Sequence, residues 1–148
     1  MRSLRFGLFL FLCLTSLIES AGSQTIDGLL REWNTSPLRP YDIEVLSVGS
    51  VWMSITQNSL FTINPQTGVT TSFTAPFGPA QFQTIARSTD NTTLWVADSL
   101  DRIVHFNPAG GTFTAYPLPA ATFTLPASPF GVSVAGDGSV WFTCWTDR

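Results

Sequence analysis

A tryptophan strand followed by an Asn-Pro turn occurs twice in this chain at a fixed spacing. Leu94 to Pro108 reads Leu-Trp-Val-Ala-Asp-Ser-Leu-Asp-Arg-Ile-Val-His-Phe-Asn-Pro, and Val51 to Pro65 reads Val-Trp-Met-Ser-Ile-Thr-Gln-Asn-Ser-Leu-Phe-Thr-Ile-Asn-Pro. Trp52 and Trp95 are 43 residues apart, and so are Asn64 and Asn107. A third copy opens at Val140-Trp141-Phe142-Thr143, 46 residues after Trp95. A period of this length marks a repeat architecture, in which no unit buries its own hydrophobic face and each must stack on a neighbour.

The content of one period identifies the unit. Val51 to Ile55 and Leu60 to Asn64 are strand candidates joined by a polar turn. Asn64-Pro65-Gln66-Thr67-Gly68 then reverses the chain, because Pro65 presets φ and Gly68 accepts the positive φ of a tight turn. Val69 to Phe73 is rich in β-branched residues, and Ala75 to Pro79 is a loop. The second unit repeats this with Phe82 to Ala86, Leu94 to Asp98, Ile103 to Asn107 and Thr112 to Tyr116, and Phe130 to Ala135 leads into Val140. Upstream, Gly28 to Trp33 and Ile43 to Val48 are strand candidates, the latter following a break at Pro37 and Pro40. No segment has an amphipathic helical period.

Four short strands per ~40–45 residues is the signature of a β-propeller blade. In Leu94-Trp95-Val96 and Val140-Trp141-Phe142 adjacent residues are all large and apolar, whereas a strand with one wet face would alternate. The fold predicted is all-β, a β-propeller of four-stranded antiparallel blades. Trp52, Trp95 and Trp141 are predicted to fill equivalent layers between blades. The repeat units run over about residues 51–93 and 94–139 with partial units at both ends, which makes about two and a half blades where closed propellers have ~4–8. An open propeller exposes two apolar faces and invites aggregation. The expectation is therefore an incomplete propeller, the N-terminal part of a chain of roughly 300 residues by the per-blade length. A ring of several copies is the alternative.

Of 148 residues, 44% are apolar and 11% charged, and there is no lysine. Beyond the leader the arginines Arg31, Arg39, Arg87, Arg102 and Arg148 are scattered, which argues against a nucleic-acid partner. Residues 1–23 read as a signal peptide: Arg2 and Arg5, an apolar run from Phe6 to Ile18, then the small residues Ser20 to Ser23. The run is shorter than the ~20 residues that cross a bilayer. The domain proper is 24–148, with no membrane contact after cleavage and a secreted location, extracellular or periplasmic. An uncleaved tether is the alternative.

The segments Gly138-Ser139-Val140-Trp141-Phe142-Thr143, Asp101-Arg102-Ile103, Phe106-Asn107-Pro108-Ala109-Gly110-Gly111, Ala115-Tyr116-Pro117-Leu118-Pro119 and Ser128-Pro129-Phe130-Gly131-Val132 resemble the virginiamycin B lyase (streptogramin lyase) family of seven-bladed propellers. The resemblance runs from about Gly28 to the end. It implies a metal-assisted lyase that opens a cyclic depsipeptide at its ester by elimination, with Mg²⁺, a histidine base and a neighbouring Glu/His set. In the family those residues lie on later blades, and no position here matches them. The family often carries Glu three residues after the blade tryptophan, where this chain has Ile55, Asp98 and Cys144.

The remaining chemistry-bearing residues read mostly as structural. Asn34 and Asn91 head Asn-x-Ser/Thr sequons and are candidate N-glycosylation acceptors. His105, whose repeat partner is Thr62, is expected on a strand facing solvent, because a single histidine without further ligands makes no site. Asp98 and Asp101 bracket a turn. They are either a carboxylate pair at the propeller mouth or, in the favoured reading, turn caps. Asp90 and Asp137 read as turn residues for the same reason. Cys144, unpaired after the leader, is expected half-buried in a strand. The segment is thus expected to hold no catalytic, cofactor or metal residues. Two functions remain. One is a secreted scaffold binding a small molecule or protein at the propeller face. The other is the N-terminal part of a Mg-dependent C–O lyase.

Overall fold

The computed structural model describes residues 23–26, 30–33, 39–46, 49–55, 57–120, 122 and 126–145. Residues 1–22 of the expected leader and the Asn34 sequon lie outside the described residues. Ser23 opens strand β1 (Ser23–Ile26), which pairs antiparallel with β2 (Leu30–Trp33).

Two four-stranded antiparallel sheets follow. The first joins β3 (Pro40–Val45), β4 (Val51–Ile55), β5 (Ser59–Ile63) and β6 (Thr70–Thr74) in chain order. The second joins β7 (Phe82–Arg87), β8 (Leu94–Asp98), β9 (Arg102–Asn107) and β10 (Thr112–Pro117) in the same way. A two-stranded sheet holds β11 (Pro129–Val134) and β12 (Val140–Cys144). This is the all-β arrangement of propeller blades, with sheets that do not close into a ring. Each blade begins one strand before its tryptophan strand, so the sequence units starting at Val51 and Leu94 are out of phase with the sheets. A period carries no phase; hydrogen bonding sets it.

The turns form for the reasons visible in the residues. Asn64 Oδ1 accepts the Gln66 and Thr67 N–H groups at 2.8 and 3.1 Å. Gly68 and Gly111 occupy the same place in successive blades with φ of +73° and +61°, a region that side chains disfavour. Pro40 does not end β3's approach but begins the strand, paired with Ile55. Proline is tolerated at a strand's first residue because no ladder N–H is required there.

Each central strand is buried on both faces. In β8 the neighbours Val96 and Ala97 are both 0% exposed although they point to opposite sides. Val96 joins Trp52, Leu60, Phe82, Leu94 and Phe106 between the first and second sheets. Ala97 joins Ile103, Leu118 and Ala127 between the second and third, with Trp95, Val132, Val140 and Phe142 against them. The Trp52 indole meets Phe73 and Phe106 with ring centroids 5.3 Å apart in each case. Trp52 and Trp95 therefore do occupy equivalent layers. Trp141 holds the same strand position but is 68% exposed, contrary to the expected two-sided burial of its strand. Among the described residues the third sheet is covered on the side facing the second.

A hydrogen-bond device also joins the blades. Every first strand has a register shift near its start, between Pro40 and Asp42, Phe82 and Ile85, and Pro129 and Val132. Such a bulge takes backbone groups out of the ladder, and burial makes it costly to leave them unpaired. The preceding blade supplies the partners. Ser54 Oγ donates to the Gln83 carbonyl, and Asp42 Oδ2 accepts the Ile85 N–H at 2.9 Å. At the next junction one side chain does both jobs. Thr84 Oγ1 donates to the Phe130 carbonyl at 2.7 Å and accepts the Val132 N–H at 3.0 Å.

Two stability outcomes follow in denaturant unfolding. Trp52→Ala is expected to destabilise by about 3–5 kcal/mol, while Trp141→Ala stays within about 0.5 kcal/mol because its ring lies in solvent. Thr84→Val is expected to cost about 1–3 kcal/mol by stranding buried backbone groups, and Thr84→Ser to recover most of the loss.

Candidate functional site

The loops entering each first strand and the turns leaving each tryptophan strand gather at one end of the blades. Asp98 ends β8 there and is completely buried. Its Oδ1 accepts the Gln81 and Leu100 N–H groups at 2.9 and 3.1 Å. Its Oδ2 pairs with Arg102, at 2.8 Å from Nε and 2.6 Å from the terminal nitrogen. Arg102 also donates to the Pro79 carbonyl at 2.6 Å and lies over the Phe77 ring, 4.8 Å from its centroid. This carboxylate locks the Phe77–Gln81 loop onto the second blade. Asp101, at φ +61°, turns the other way. Its Oδ1 accepts the Ala127 and Ser128 N–H groups at 2.6 and 3.2 Å and pins the loop into the third sheet. The two carboxylates cap different loops and do not face a common ligand.

What faces the mouth is aromatic and amide. Tyr41, in the β3 bulge, meets Phe130, in the β11 bulge, edge to face at 5.8 Å. The first and third sheets flank the second, so these rings meet on the side where the first strands converge. Trp145 packs edge-on to Phe130 at 6.0 Å, held there by its N–H to the Ser128 carbonyl at 2.9 Å. Tyr41 and Trp145 remain 44% and 65% exposed. Gln83 is the bulge residue of the blade between, and its amide reaches the Gln81 carbonyl and Ser99 Oγ, each at 3.4 Å. Ser99 Oγ in turn donates to Gln81 Oε1 at 3.0 Å. An open cleft of 390 Å³ lined by Gln57, Asn58 and Gly78 to Gln81 adjoins this end. Sequence reasoning passed over Tyr41 and Trp145. For Tyr41 the signal was its place in the repeat: Tyr41, Gln83 and Phe130 each lie eleven or twelve residues before a blade tryptophan.

The opposite end is built from polar turns. Asp90 accepts from Ser88 Oγ at 2.5 Å and Thr92 Oγ1 at 2.8 Å, which holds its carboxyl below the usual value. Asp137 is lowered likewise by the Ser139 hydroxyl at 2.6 Å. Asn91 sits in this turn at φ +57° and is half-exposed. Thr93, the hydroxyl residue of its sequon, bonds His105 Nε2 at 2.9 Å. A shallow cleft of 420 Å³ lies beside it, with Glu44 and Arg87 3.8 Å apart on its wall.

His105 departs from its expected solvent-facing position. It is half-buried, with its ring 4.6 Å from the Trp95 indole, because cross-strand neighbours on one face must share the space beside the next blade. Burial lowers its pKa from the usual 6.5, opposed by the nearby negative charge of Asp90. Cys144 departs in the other sense and is exposed at the end of β12, on the face it shares with Val140 and Phe142. Partial desolvation and then the Asp101 charge push its thiol pKa up, the reverse of what activates a nucleophile. Among the described residues no three His, Cys, Asp or Glu side chains come together as a metal site. No helix among them is long and apolar enough to cross a membrane.

No family model matches the chain, and no curated protein does. Solved structures do. Virginiamycin B lyase from Staphylococcus aureus aligns over 82% of this chain and 41% of its own, with a TM-score of 0.68 and 21% identity. The chain has the propeller fold of that lyase. A structure of a catalytically inactive histidine-to-alanine variant with quinupristin matches equally, over 81% of this chain and 40% of that one, TM-score 0.68 and 21% identity. Kuenenia stuttgartiensis hydrazine synthase matches over 82% and 33%, TM-score 0.59 and 16% identity. The chain thus spans about two fifths of the length of the lyase structures.

Two outcomes test the local electrostatics. Asp98→Ala leaves the Arg102 guanidinium without its buried partner and is expected to destabilise by about 3–5 kcal/mol in denaturant unfolding. For His105, the folded pKa lies below 6.5, so the unfolded chain binds more protons below that pH. Its contribution is complete above 6.5 and is lost as the pH falls through the folded value. His105→Thr copies Thr62 of the preceding blade. Melting from pH about 7.5 to about 5.5 should show the wild type losing stability relative to this variant.

Proposed function

We propose that this protein is an exported β-propeller that binds a small molecule or a protein partner at the mouth framed by Tyr41, Phe130 and Trp145, without a catalytic set in this segment. The observation that carries the reading is the convergence of two bulge aromatics from different blades beside a third exposed ring, with amides next to them. Exposed aromatic surface with a few oriented polar groups is the composition of a recognition site. The Asp98 and Asp101 carboxylates are spent on backbone N–H groups and Arg102, and His105 on Thr93, which supports scaffold roles for them. The apolar run and small residues of 1–23 support export. On a eukaryotic secretory route Asn91 would be the sugar acceptor, and Asn34 the second candidate. The dispersed arginines and missing lysines support a partner other than nucleic acid.

The fold shared with virginiamycin B lyase favours a second reading, the N-terminal part of a Mg-dependent C–O lyase acting on cyclic depsipeptide esters. The described His, Cys, Asp and Glu side chains do not converge on a cation position, so they do not fit a resident Mg²⁺, and no chemical step is assigned to them. In that reading the mouth described here would contribute substrate contacts.

Titration with quinupristin, followed by tryptophan fluorescence, separates the two. Saturable quenching that weakens about tenfold in Trp145→Ala and Tyr41→Ala, with the macrocycle recovered intact by mass spectrometry with Mg²⁺ or chelator present, is expected if the mouth only binds such ligands. A ring-opened product that requires Mg²⁺ would establish the lyase. Quenching unchanged by both substitutions would remove the mouth from consideration.

A further inference from the structure

We propose that the ligand of the mouth is a neutral oligosaccharide, held by the amides between the first and second sheets with a sugar ring against Tyr41. This names the ligand class of the site proposed above and rests on that reading. Three observations build the case.

The first is the lining of the cleft. It lies between the β4–β5 turn and the loop that enters β7, and its 390 Å³ are walled by Gln57, Asn58, Gly78, Pro79, Ala80 and Gln81. Clefts of ~300–1,000 Å³ are the size that takes small organic ligands. Much of the backbone here is already engaged. The Gln57 N–H donates to the Ile55 carbonyl at 2.6 Å, and the Asn58 carbonyl accepts the Ala75 N–H at 2.8 Å. The Pro79 carbonyl accepts from Arg102, and the Gln81 N–H goes to Asp98. The polar side chains of the wall are therefore what it offers a ligand, and all three are amides.

The second is the orientation of those amides. Gln83 Nε2 donates to Ser99 Oγ at 3.4 Å, and Ser99 Oγ donates to Gln81 Oε1 at 3.0 Å. This chain fixes which way both amides point. It leaves the Gln81 NH₂ as a donor and Gln83 Oε1 as an acceptor, neither with a partner among the described residues. A hydroxyl group donates one hydrogen bond and accepts others, so it complements a donor and an acceptor set side by side. Tyr41 adjoins the same wall: its neighbour Pro40 pairs with Ile55, whose carbonyl holds Gln57. Its ring is propped edge to face against Phe130 and is 44% exposed. A pyranose has an apolar C–H face and a rim of hydroxyls. The phenol ring matches the face and the amides match the rim.

The third is charge, and it decides for a neutral sugar. No ionisable side chain lines the cleft. The acids at this end serve backbone N–H groups: Asp42 takes those of Ile43 and Ile85, Asp101 those of Ala127 and Ser128, and Asp98 is buried against Arg102. Arg39 precedes β3 and stands outside the lining.

Isothermal titration of the full chain with cellotetraose, laminaritetraose, mannotetraose, xylotetraose and tetragalacturonic acid tests this. At least one of the four neutral sugars is expected to bind, more tightly than the uronate. Tyr41→Ala and Gln81→Ala are each expected to weaken that sugar about tenfold with an unchanged melting profile. Gln81→Glu keeps the side chain's shape, loses the donor, and should weaken it as much. Absence of binding by all four neutral sugars overturns the proposal. So does preference for the uronate, or neutral-sugar binding that none of the three substitutions weakens. Quinupristin quenching that still depends on Tyr41 while no sugar binds would sink the sugar assignment alone. Loss of both would sink the reading of the mouth with it.

Discussion

The bulge at the start of each first strand is the constraint on which the assembly depends. A bulge re-aims side chains, but it removes backbone groups from the ladder, and an unpaired amide in a dry junction costs as much as the loss of a good hydrogen bond. The bulges of the second and third sheets draw partners from the sheet before them. Gln83 and Ile85 are satisfied by Ser54 and Asp42, and Phe130 and Val132 by Thr84. The apolar layer around Trp52 and Phe106 supplies the driving force for stacking, but a hydrophobic layer alone tolerates sliding. The clamp fixes the register of one blade on the next.

The mouth follows from the same device. Once the bulge backbone is held by the neighbouring blade, the bulge side chain is released from packing duties and points where the first strands converge. Gln83 and Phe130 are these side chains, and Tyr41 holds the same place in the first sheet. Their neighbours one residue on, Asp42 and Thr84, do the clamping. Adjacent positions thus divide the work between cohesion and exposure, and the exposed position can change from phenol to amide to phenyl without touching the junction.

Much of the architecture was legible because it rests on periodic burial. The spacing of Trp52, Trp95 and Trp141, the paired Asn-Pro turns and the doubly apolar strands led to four-stranded blades, and the strand Leu94–Asp98 falls where its residues predicted it. The phase of the blade was not legible, since a repeat read from a tryptophan says nothing of which neighbour pairs first. Pro40 misled for a related reason: its lack of an N–H excludes a ladder interior but not a strand's first residue. The clamp was hidden because its hydroxyl migrates between strands, so no single column of the repeat shows it. Asp98 read as a turn residue and is one, but its burial depends on the Phe77–Pro79 loop and Arg102 closing over it, a tertiary fact. His105 went astray because exposure in this fold is decided by the adjacent blade, and Cys144 because it ends its strand beyond the covered Val140 and Phe142. A strand's own sequence cannot tell a covered face from an open one.

This dependence on the neighbour separates two kinds of conservation of form. Residues that make junctions must complement a surface of nearly fixed shape, so they repeat in kind even where they change position, as Thr84 stands in for the Asp42 and Ser54 pair. Residues at the mouth complement a ligand, and nothing internal to the fold constrains them. A fold can accordingly be shared at 21% identity, since a stacked sheet constrains its faces more than its ends. Fold similarity to a lyase therefore speaks to the stacking of sheets around layers such as that of Trp52 and Phe106, and carries no assignment for Tyr41, Phe130 and Trp145.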